Sequence, residues 1–171
     1  GEQILKTDQD NALVIEDGYT HPDLADICRK FSETLIEFGY PRCQGDIMVS
    51  NPFWQRSVTS YKKLINDWID NASGDSIMQL AIWSDARPVC GQHTLFKEVH
   101  GYLLRNLSRN DSFLARFAQP IEQFDTPLDF FSRLVTNKGK DRSQLDLKKG
   151  GIFPLVHGLR SLALEAGLEV N

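Results

Sequence analysis

The first half of the chain alternates short apolar runs with amphipathic stretches, a pattern that predicts strands alternating with helices. The run over residues 11–15 predicts a buried strand. Apolar residues spaced by three and four positions then predict a helix that begins at Pro22 and ends before Gly39. The predicted buried face of this helix consists of Leu24, Ile27, Cys28, Phe31, Leu35 and Phe38.

Four further elements are predicted before residue 92. Residues 46–49 predict a short strand, and Asn51 is the expected N-cap of a helix with an aromatic inner face. A short helix over 76–80 and a strand over 81–87 are expected to follow, with Pro88 and Gly91 ending that strand. The inner face of the helix after Asn51 is predicted to contain Trp54, Val58, Tyr61, Ile65 and Trp68.

After Gln92 the spacing is helical throughout, and four amphipathic segments are predicted. Their apolar positions are Leu95, Phe96, Val99, Leu103 and Leu107; Phe113, Leu114, Phe117 and Ile121; Leu128, Phe131, Leu134 and Val135; and Ile152, Leu155, Val156, Leu159, Leu162 and Ala163. Gly167 is the expected end of the last helix. The sequence therefore predicts an α+β fold, with a small sheet and flanking helices over 1–91 and an all-helical bundle over 92–171.

Composition narrows the class of protein. Hydrophobic residues make up 41% and charged residues 25% of the 171 residues, as in soluble globular proteins. No apolar run approaches the roughly 20 residues of a membrane span. The three cysteines form no CxxC pair, which indicates reduced thiols and a cytoplasmic protein. The net charge of −4 argues against a dedicated nucleic-acid-binding protein.

Positive charge is concentrated near the C-terminus. Residues 133–160 contain seven basic and two acidic side chains, a local charge of +5 on an otherwise acidic chain. Lys148 and Lys149 precede the last predicted helix, where cations are unfavourable for the helix dipole. The segment is a candidate to bind phosphate or an acidic partner, and the alternative is a solvated loop.

Two carboxylates precede the first predicted strand. Asp8 and Asp10 are two residues apart, so on an extended backbone they point to the same side. Like charges this close repel unless a cation lies between them, and carboxylate oxygens suit Mg²⁺ or Mn²⁺. The pair is therefore a candidate metal site for phosphoryl transfer, and the alternative is a solvated turn with a capping aspartate.

The residues around this pair, 2–12, strongly resemble the DUF294-type family of nucleotidyltransferases, which is often fused to CBS pairs and cyclic-nucleotide-binding domains. That family belongs to the DNA polymerase β-like superfamily and is similar to the protein-PII uridylyltransferase group. The resemblance continues through residues 39–52, 85–89 and 145–152, and so covers almost the whole chain.

The resemblance implies a function for the chain and a role for each of its two parts. Asp8 and Asp10 match the carboxylates that hold Mg²⁺ against a nucleoside triphosphate and help to activate the incoming hydroxyl. Residues 1–91 would form part of the nucleotidyltransferase domain, and residues 92–171 the helical substrate-binding domain. The implied reaction transfers a nucleoside monophosphate to a protein or small-molecule hydroxyl and releases pyrophosphate.

The resemblance also implies a third catalytic carboxylate, from a neighbouring strand. Asp46 fits by strand order, and Asp85 lies in the last predicted strand. The third alternative is that neither residue has this role. The alternative for Asp85 is a structural ion pair with Arg87 or another basic residue. The substrate-binding candidates are Thr7, Arg42, Arg87, Lys148 and Lys149, and for the two arginines the alternative is an ordinary ion pair.

The family also has a Gly-Ser turn followed by an arginine, and this chain begins after the corresponding position. The sequence therefore predicts a fragment of a larger regulatory protein, or a protein that has lost the turn that binds the triphosphate. In either case the chain by itself is expected to have weak or no activity. The alternative function is a non-catalytic signalling or interaction module with a vestigial nucleotide site. The resemblance implies a bacterial signal-transduction protein with attached sensory domains, and leaves the nucleotide, the acceptor and the oligomeric state open.

Overall fold

The computed structural model describes residues 8–119 and 152–168. In chain order these residues form β1 (Leu13–Ile15), α1 (Leu24–Glu37), a 3₁₀ turn (Pro52–Trp54), β2 (Gln55–Ser57), α2 (Val58–Asp70), α3 (Gly74–Ser84), α4 (His93–Leu107), α5 (Asp111–Ala118) and α6 (Phe153–Glu165). The predicted α+β fold with a helical C-terminal portion is confirmed.

The sheet of the described residues has two short parallel strands. β1 pairs with β2 in the register Leu13 to Gln55, Val14 to Arg56 and Ile15 to Ser57. Parallel strands need a crossover connection, and α1 lies between them in the sequence, as that requirement predicts. The predicted strand over 11–15 is thus confirmed for residues 13–15, although these residues are half-buried rather than fully buried.

Helix α1 forms and ends where the sequence predicts. Gly39 adopts a φ of 92°, and its N–H donates to the carbonyl of Ile36 at 2.8 Å, which is a glycine-terminated C-cap. The predicted buried face is wrong in part, because Ile27, Phe31 and Phe38 are largely exposed. The buried positions of this helix are Cys28 and Ser32. On that face, the carbonyl of Ser32 accepts a hydrogen bond from the side chain of Gln9.

The predicted strand over 46–49 is wrong, although Met48 and Val49 are buried as a strand core would be. Asn11 makes two of the hydrogen bonds to the backbone of this segment. The N–H of Asn11 donates to the carbonyl of Ile47 at 3.0 Å, and the Asn11 side-chain oxygen accepts from the N–H of Val49 at 2.8 Å. The N–H of Asn51 donates to the carbonyl of Met48 at 2.9 Å, and the side chain of Gln55 donates to the carbonyl of Val49. Separate contacts of this kind therefore replace the ladder that a neighbouring strand would provide.

Asn51 is an N-cap, as predicted, since its side-chain oxygen accepts from the N–H of Phe53 at 3.0 Å. The predicted continuous helix is wrong, because this cap opens only the 3₁₀ turn, and β2 intervenes before α2 begins. The predicted inner face is confirmed. All five of its residues are buried, namely Trp54, Val58, Tyr61, Ile65 and Trp68.

The predicted strand over 81–87 is also wrong, because α3 continues to Ser84. Ser73 caps this helix by accepting from the N–H of Ser76 at 3.2 Å. The buried residues of the helix are spaced for one helical face rather than for alternation. They are Ile77, Leu80, Ala81, Trp83 and Ser84.

Helices α4, α5 and α6 confirm three of the four predicted C-terminal helices, and the third predicted one, around 128–135, lies outside the described residues. Gly167, with a φ of 64°, ends α6 as predicted. Within α6, Leu155, Leu159 and Leu162 are exposed. The buried positions are His157, Ala163 and Leu164, and His157 also contacts the carbonyl of Phe117.

The chain divides into two compact units. One comprises Gly1–Asn66 with Arg87–Gly101, and the other comprises Asp67–Ala86 with Tyr102–Asn171. A functional boundary near residue 91 stays a prediction. Across the described ranges, none of the helices is both long and apolar enough to cross a membrane.

Candidate metal centre

The segment before β1 places two carboxylates on one side of the backbone. Asp8 and Asp10 are exposed, whereas Gln9 between them is 5% exposed. This alternation is that of an extended chain, in which residues i and i+2 share a side. The predicted convergence of the two aspartates is therefore present in the structure.

Gln9 fixes this segment to its surroundings. Its backbone N–H donates to the carbonyl of Pro41 at 3.1 Å, and its side-chain amide donates to the carbonyl of Ser32 at 3.1 Å. Its side-chain oxygen accepts from the amide of Asn11 at 3.3 Å. The two carboxylates thus project from a backbone that is bonded both to α1 and to the loop after it.

Cys43 is the third member of the site. One potential ligand atom from each of Asp8, Asp10 and Cys43 lies within 4.8 Å of the other two, and we call this group the carboxylate–thiol centre. The Cys43 side chain is 9% exposed. Sequence reasoning missed it, because a lone cysteine far from Asp10 in the chain has no diagnostic spacing. Its position within the motif over 39–52 was the available signal.

The surroundings of Cys43 favour its neutral thiol. Burial raises the pKa of the Cys43 thiol, and a hydrogen bond with the Asp10 carboxylate raises it further. Hydrogen bonds from the backbone N–H groups of Ile47 and Gly45 act in the opposite direction and lower that pKa. Cys43 is therefore a neutral thiol when no cation is bound.

The donor set fits a divalent cation. Two exposed carboxylates supply hard oxygen ligands of the kind preferred by Mg²⁺ and Mn²⁺. Because both aspartates face solvent, further coordination positions are open to water or to phosphate oxygens. Electrostatic repulsion between the carboxylates also falls when a cation binds between them.

Asp46 lies in the same unit but has a different partner. Its carboxylate is 3.6 Å from the guanidinium of Arg42, and its backbone carbonyl accepts from the side-chain amide of Asn51 at 3.1 Å. Asp46 also has a φ of 53°, in the left-handed region. The ion pair considered for Arg42 is thus present, and the choice of a third carboxylate stays a prediction.

Asp85 follows α3 in the other unit, where it pairs with Arg160 of α6. The guanidinium is bidentate, with Nε 2.9 Å from Oδ1 and Nη2 in contact with Oδ2. The basic partner considered for Asp85 is therefore present, as Arg160. Arg87 is exposed in the first unit. Of the remaining candidates, Thr7, Lys148 and Lys149 lie outside the described residues.

Two family models match the chain, one in its N-terminal part and one in its C-terminal part. Residues 1–75 match the family model described as "Putative nucleotidyltransferase DUF294". Residues 111–171 match the model described as "Putative nucleotidyltransferase substrate binding domain". No curated protein and no solved structure matches the chain. The carboxylate–thiol centre lies within the first matched region.

Proposed function

This chain belongs to the DUF294 family of nucleotidyltransferases, and from that premise we propose that it carries a metal-dependent nucleotidyltransferase centre. The proposed reaction resembles that of protein-PII uridylyltransferases. A nucleoside monophosphate is transferred from a nucleoside triphosphate to a hydroxyl of a protein or a small molecule, and pyrophosphate leaves. The convergence of Asp8 and Asp10 is the observation that carries this proposal.

In this proposal Asp8 and Asp10 hold Mg²⁺ or Mn²⁺. The bound cation supplies charge neutralisation at the triphosphate and Lewis-acid activation of an oxygen nucleophile. The chain itself supplies orientation, since the hydrogen bonds of Gln9 fix the backbone between the two carboxylates. A centre that is organised before the substrate binds loses less entropy in the reaction.

We assign Asp46 as the third carboxylate in preference to Asp85. Both oxygens of Asp85 are engaged by Arg160, whereas the contact of Asp46 with Arg42 is long, at 3.6 Å. Arg42 is exposed and positively charged, which suits contact with a triphosphate. Arg87, Lys148, Lys149 and Thr7 are proposed as further substrate contacts on the basis of the sequence motifs.

Mn²⁺ titration of the 171-residue chain tests the proposal, with binding followed by the electron paramagnetic resonance signal of unbound Mn²⁺. We expect Asp8→Asn and Asp10→Asn each to weaken Mn²⁺ binding by about tenfold or more, because each removes a charged ligand. Asp23→Asn is the matched control, since it removes an exposed aspartate elsewhere in the same unit. Wild-type affinity in Asp8→Asn contradicts the assignment.

Calorimetric titration of ATP and UTP in the presence of Mn²⁺ separates catalysis from a nucleotide-sensing role. A nucleotidyltransferase centre requires nucleotide binding that depends on both the metal and Asp8. Metal-dependent binding without pyrophosphate release, across protein and small-molecule acceptors, favours a signalling module that binds the nucleotide without transferring it.

A further inference from the structure

We propose that Cys43 is a third metal ligand, through which the carboxylate–thiol centre binds thiophilic divalent cations such as Zn²⁺. The inference rests on the proposed function, because it adds a residue to the same centre. It extends that function by assigning a second class of cation, with its own ligand set, to the carboxylates that bind Mg²⁺.

The placement of the sulfur supports this assignment. Ligand atoms of Cys43, Asp8 and Asp10 already lie within 4.8 Å of one another. Around a tetrahedral Zn²⁺, with metal–ligand distances of about 2.0–2.3 Å, ligand atoms are separated by about 3.5 Å. The contraction needed is therefore about 1 Å, which the exposed side chains of Asp8 and Asp10 can supply by rotation.

The sulfur itself is held in place. Cys43 is more than nine-tenths buried, and its backbone carbonyl accepts from the N–H of Asp46 at 3.1 Å. Its sulfur lies within 4.8 Å of a carboxylate oxygen of Asp8 and of one of Asp10. A Zn²⁺ ion among these atoms would replace the thiol proton of Cys43 and bind its sulfur together with the two carboxylates.

Three protein ligands with an open fourth position form a familiar Zn²⁺ arrangement. Sulfur is a poor ligand for Mg²⁺ and a good one for Zn²⁺. Mg²⁺ is therefore expected to use the carboxylates and water, whereas Zn²⁺ uses the carboxylates and Cys43. Both cations compete for one centre, and only the affinity for Zn²⁺ depends on the thiol.

The competing interpretation treats Cys43 as a small buried packing residue. Cys28 on α1 is such a residue, with 4% exposure, and burial raises the pKa of its thiol. It is not among the residues of the carboxylate–thiol centre. Cys28→Ser is thus a matched control for the loss of a buried thiol, and Cys90→Ser removes the exposed cysteine.

The test uses Co²⁺ as a spectroscopic probe for Zn²⁺ in the full 171-residue chain. Titration with Co²⁺ is expected to produce a sulfur-to-cobalt charge-transfer band in the near-ultraviolet, which added Zn²⁺ removes. The band should be retained in Cys28→Ser and Cys90→Ser and lost in Cys43→Ser and Cys43→Ala. Zn²⁺ affinity in the two Cys43 variants should fall about tenfold or more, while Mn²⁺ affinity changes less than about threefold.

The outcomes separate this inference from the proposed function. Mn²⁺ binding that depends on Asp8, with no sulfur band, overturns the role of Cys43 and leaves the metal-dependent centre intact. A band that survives in both folded Cys43 variants also overturns it. Absence of both Mn²⁺ and Co²⁺ binding overturns the metal-dependent function together with this inference. Circular dichroism and thermal unfolding establish that each variant is folded before its spectrum is compared.

Discussion

The side-chain amide of Gln9 donates a 3.1 Å hydrogen bond to the backbone carbonyl of Ser32 on α1. Both residues are buried, so neither group has water as an alternative partner. An uncharged residue therefore fixes the backbone from which the two carboxylates of the candidate metal centre project.

Gln9→Ala is expected to destabilise the protein by about 1 kcal/mol, because it removes the buried hydrogen bond to the carbonyl of Ser32, which keeps only its helical partner in α1. It should also weaken Mn²⁺ binding, since Asp8 and Asp10 lose the anchored residue between them. Urea unfolding and Mn²⁺ titration measure the two effects. Gln44→Ala, at an exposed glutamine of the same unit, is the control and should change neither. Wild-type Mn²⁺ affinity in Gln9→Ala contradicts this role.

Tyr61→Phe is expected to lower the free energy of unfolding by about 1–3 kcal/mol. The Tyr61 hydroxyl donates to the carbonyl of Trp54 at 2.7 Å in a fully buried setting, and burial holds the pKa of this phenol well above its usual range. The hydroxyl therefore stays protonated and donates, joining α2 to the 3₁₀ turn. Chemical denaturation measures the loss. Tyr19→Phe, at an exposed tyrosine, should have little effect, and equal losses in both variants refute the assignment.

Asp85→Asn is expected to destabilise the protein by about 1 kcal/mol or less, because Asp85 is largely exposed although its bidentate partner Arg160 is mostly buried. Its Mn²⁺ affinity should equal that of the wild type. Thermal unfolding and Mn²⁺ titration, with Asp8→Asn measured in parallel, provide the comparison. A large loss of Mn²⁺ binding in Asp85→Asn reverses our preference for Asp46.

His157 is expected to make stability depend on pH. Its Nδ1 lies 3.4 Å from Nη1 of Arg160, which can only donate, so Nδ1 accepts and Nε2–H donates to the carbonyl of Phe117. Burial lowers the pKa of His157 below its ordinary value of 6.5. The unfolded chain therefore takes up a proton before the folded one does. The resulting loss of stability begins as the pH falls through about 6.5 and levels off below the folded-state pKa.

Urea unfolding at about pH 7.5 and about pH 5.5 checks this sign. His157→Gln, which keeps a side-chain N–H donor, should show a smaller decrease in stability between the two pH values than the wild type. His93→Gln, at an exposed histidine, should retain the wild-type decrease. An identical pH dependence in wild type and His157→Gln is the contrary result.

The spacing of residues within short segments predicts part of the core and of the candidate site. The spacing from Trp54 to Trp68 identified a face that is buried throughout, and the i, i+2 spacing of Asp8 and Asp10 predicted their convergence. From Val58 to Trp68, and for the two aspartates, the spacing reflects backbone geometry within one segment, whereas Trp54 precedes β2. Such a signal needs no knowledge of what packs against the segment.

The errors arose where long-range contacts decide local structure. Met48 and Val49 are apolar and buried, yet the N–H of Val49 donates to the side chain of Asn11 rather than to a strand, and no pattern in the sequence reveals such a partner. The strand β2 has only three polar residues, too few for any period to be detected. Cys43 joins the two carboxylates across a similar gap in the chain, and its position within the motif over 39–52 does not reveal that proximity.

The left-handed backbone at Asp46 affects how variation at this position is interpreted. Glycine, asparagine and aspartate adopt this conformation readily, whereas β-branched side chains are strained in it. In a saturation library selected only for folding, position 46 should therefore retain glycine and asparagine and lose valine and isoleucine. That profile records a backbone requirement, and aspartate belongs to it whether or not its carboxylate takes part in chemistry. Under selection for nucleotide transfer, a catalytic carboxylate at position 46 would be retained as aspartate, and asparagine would be lost.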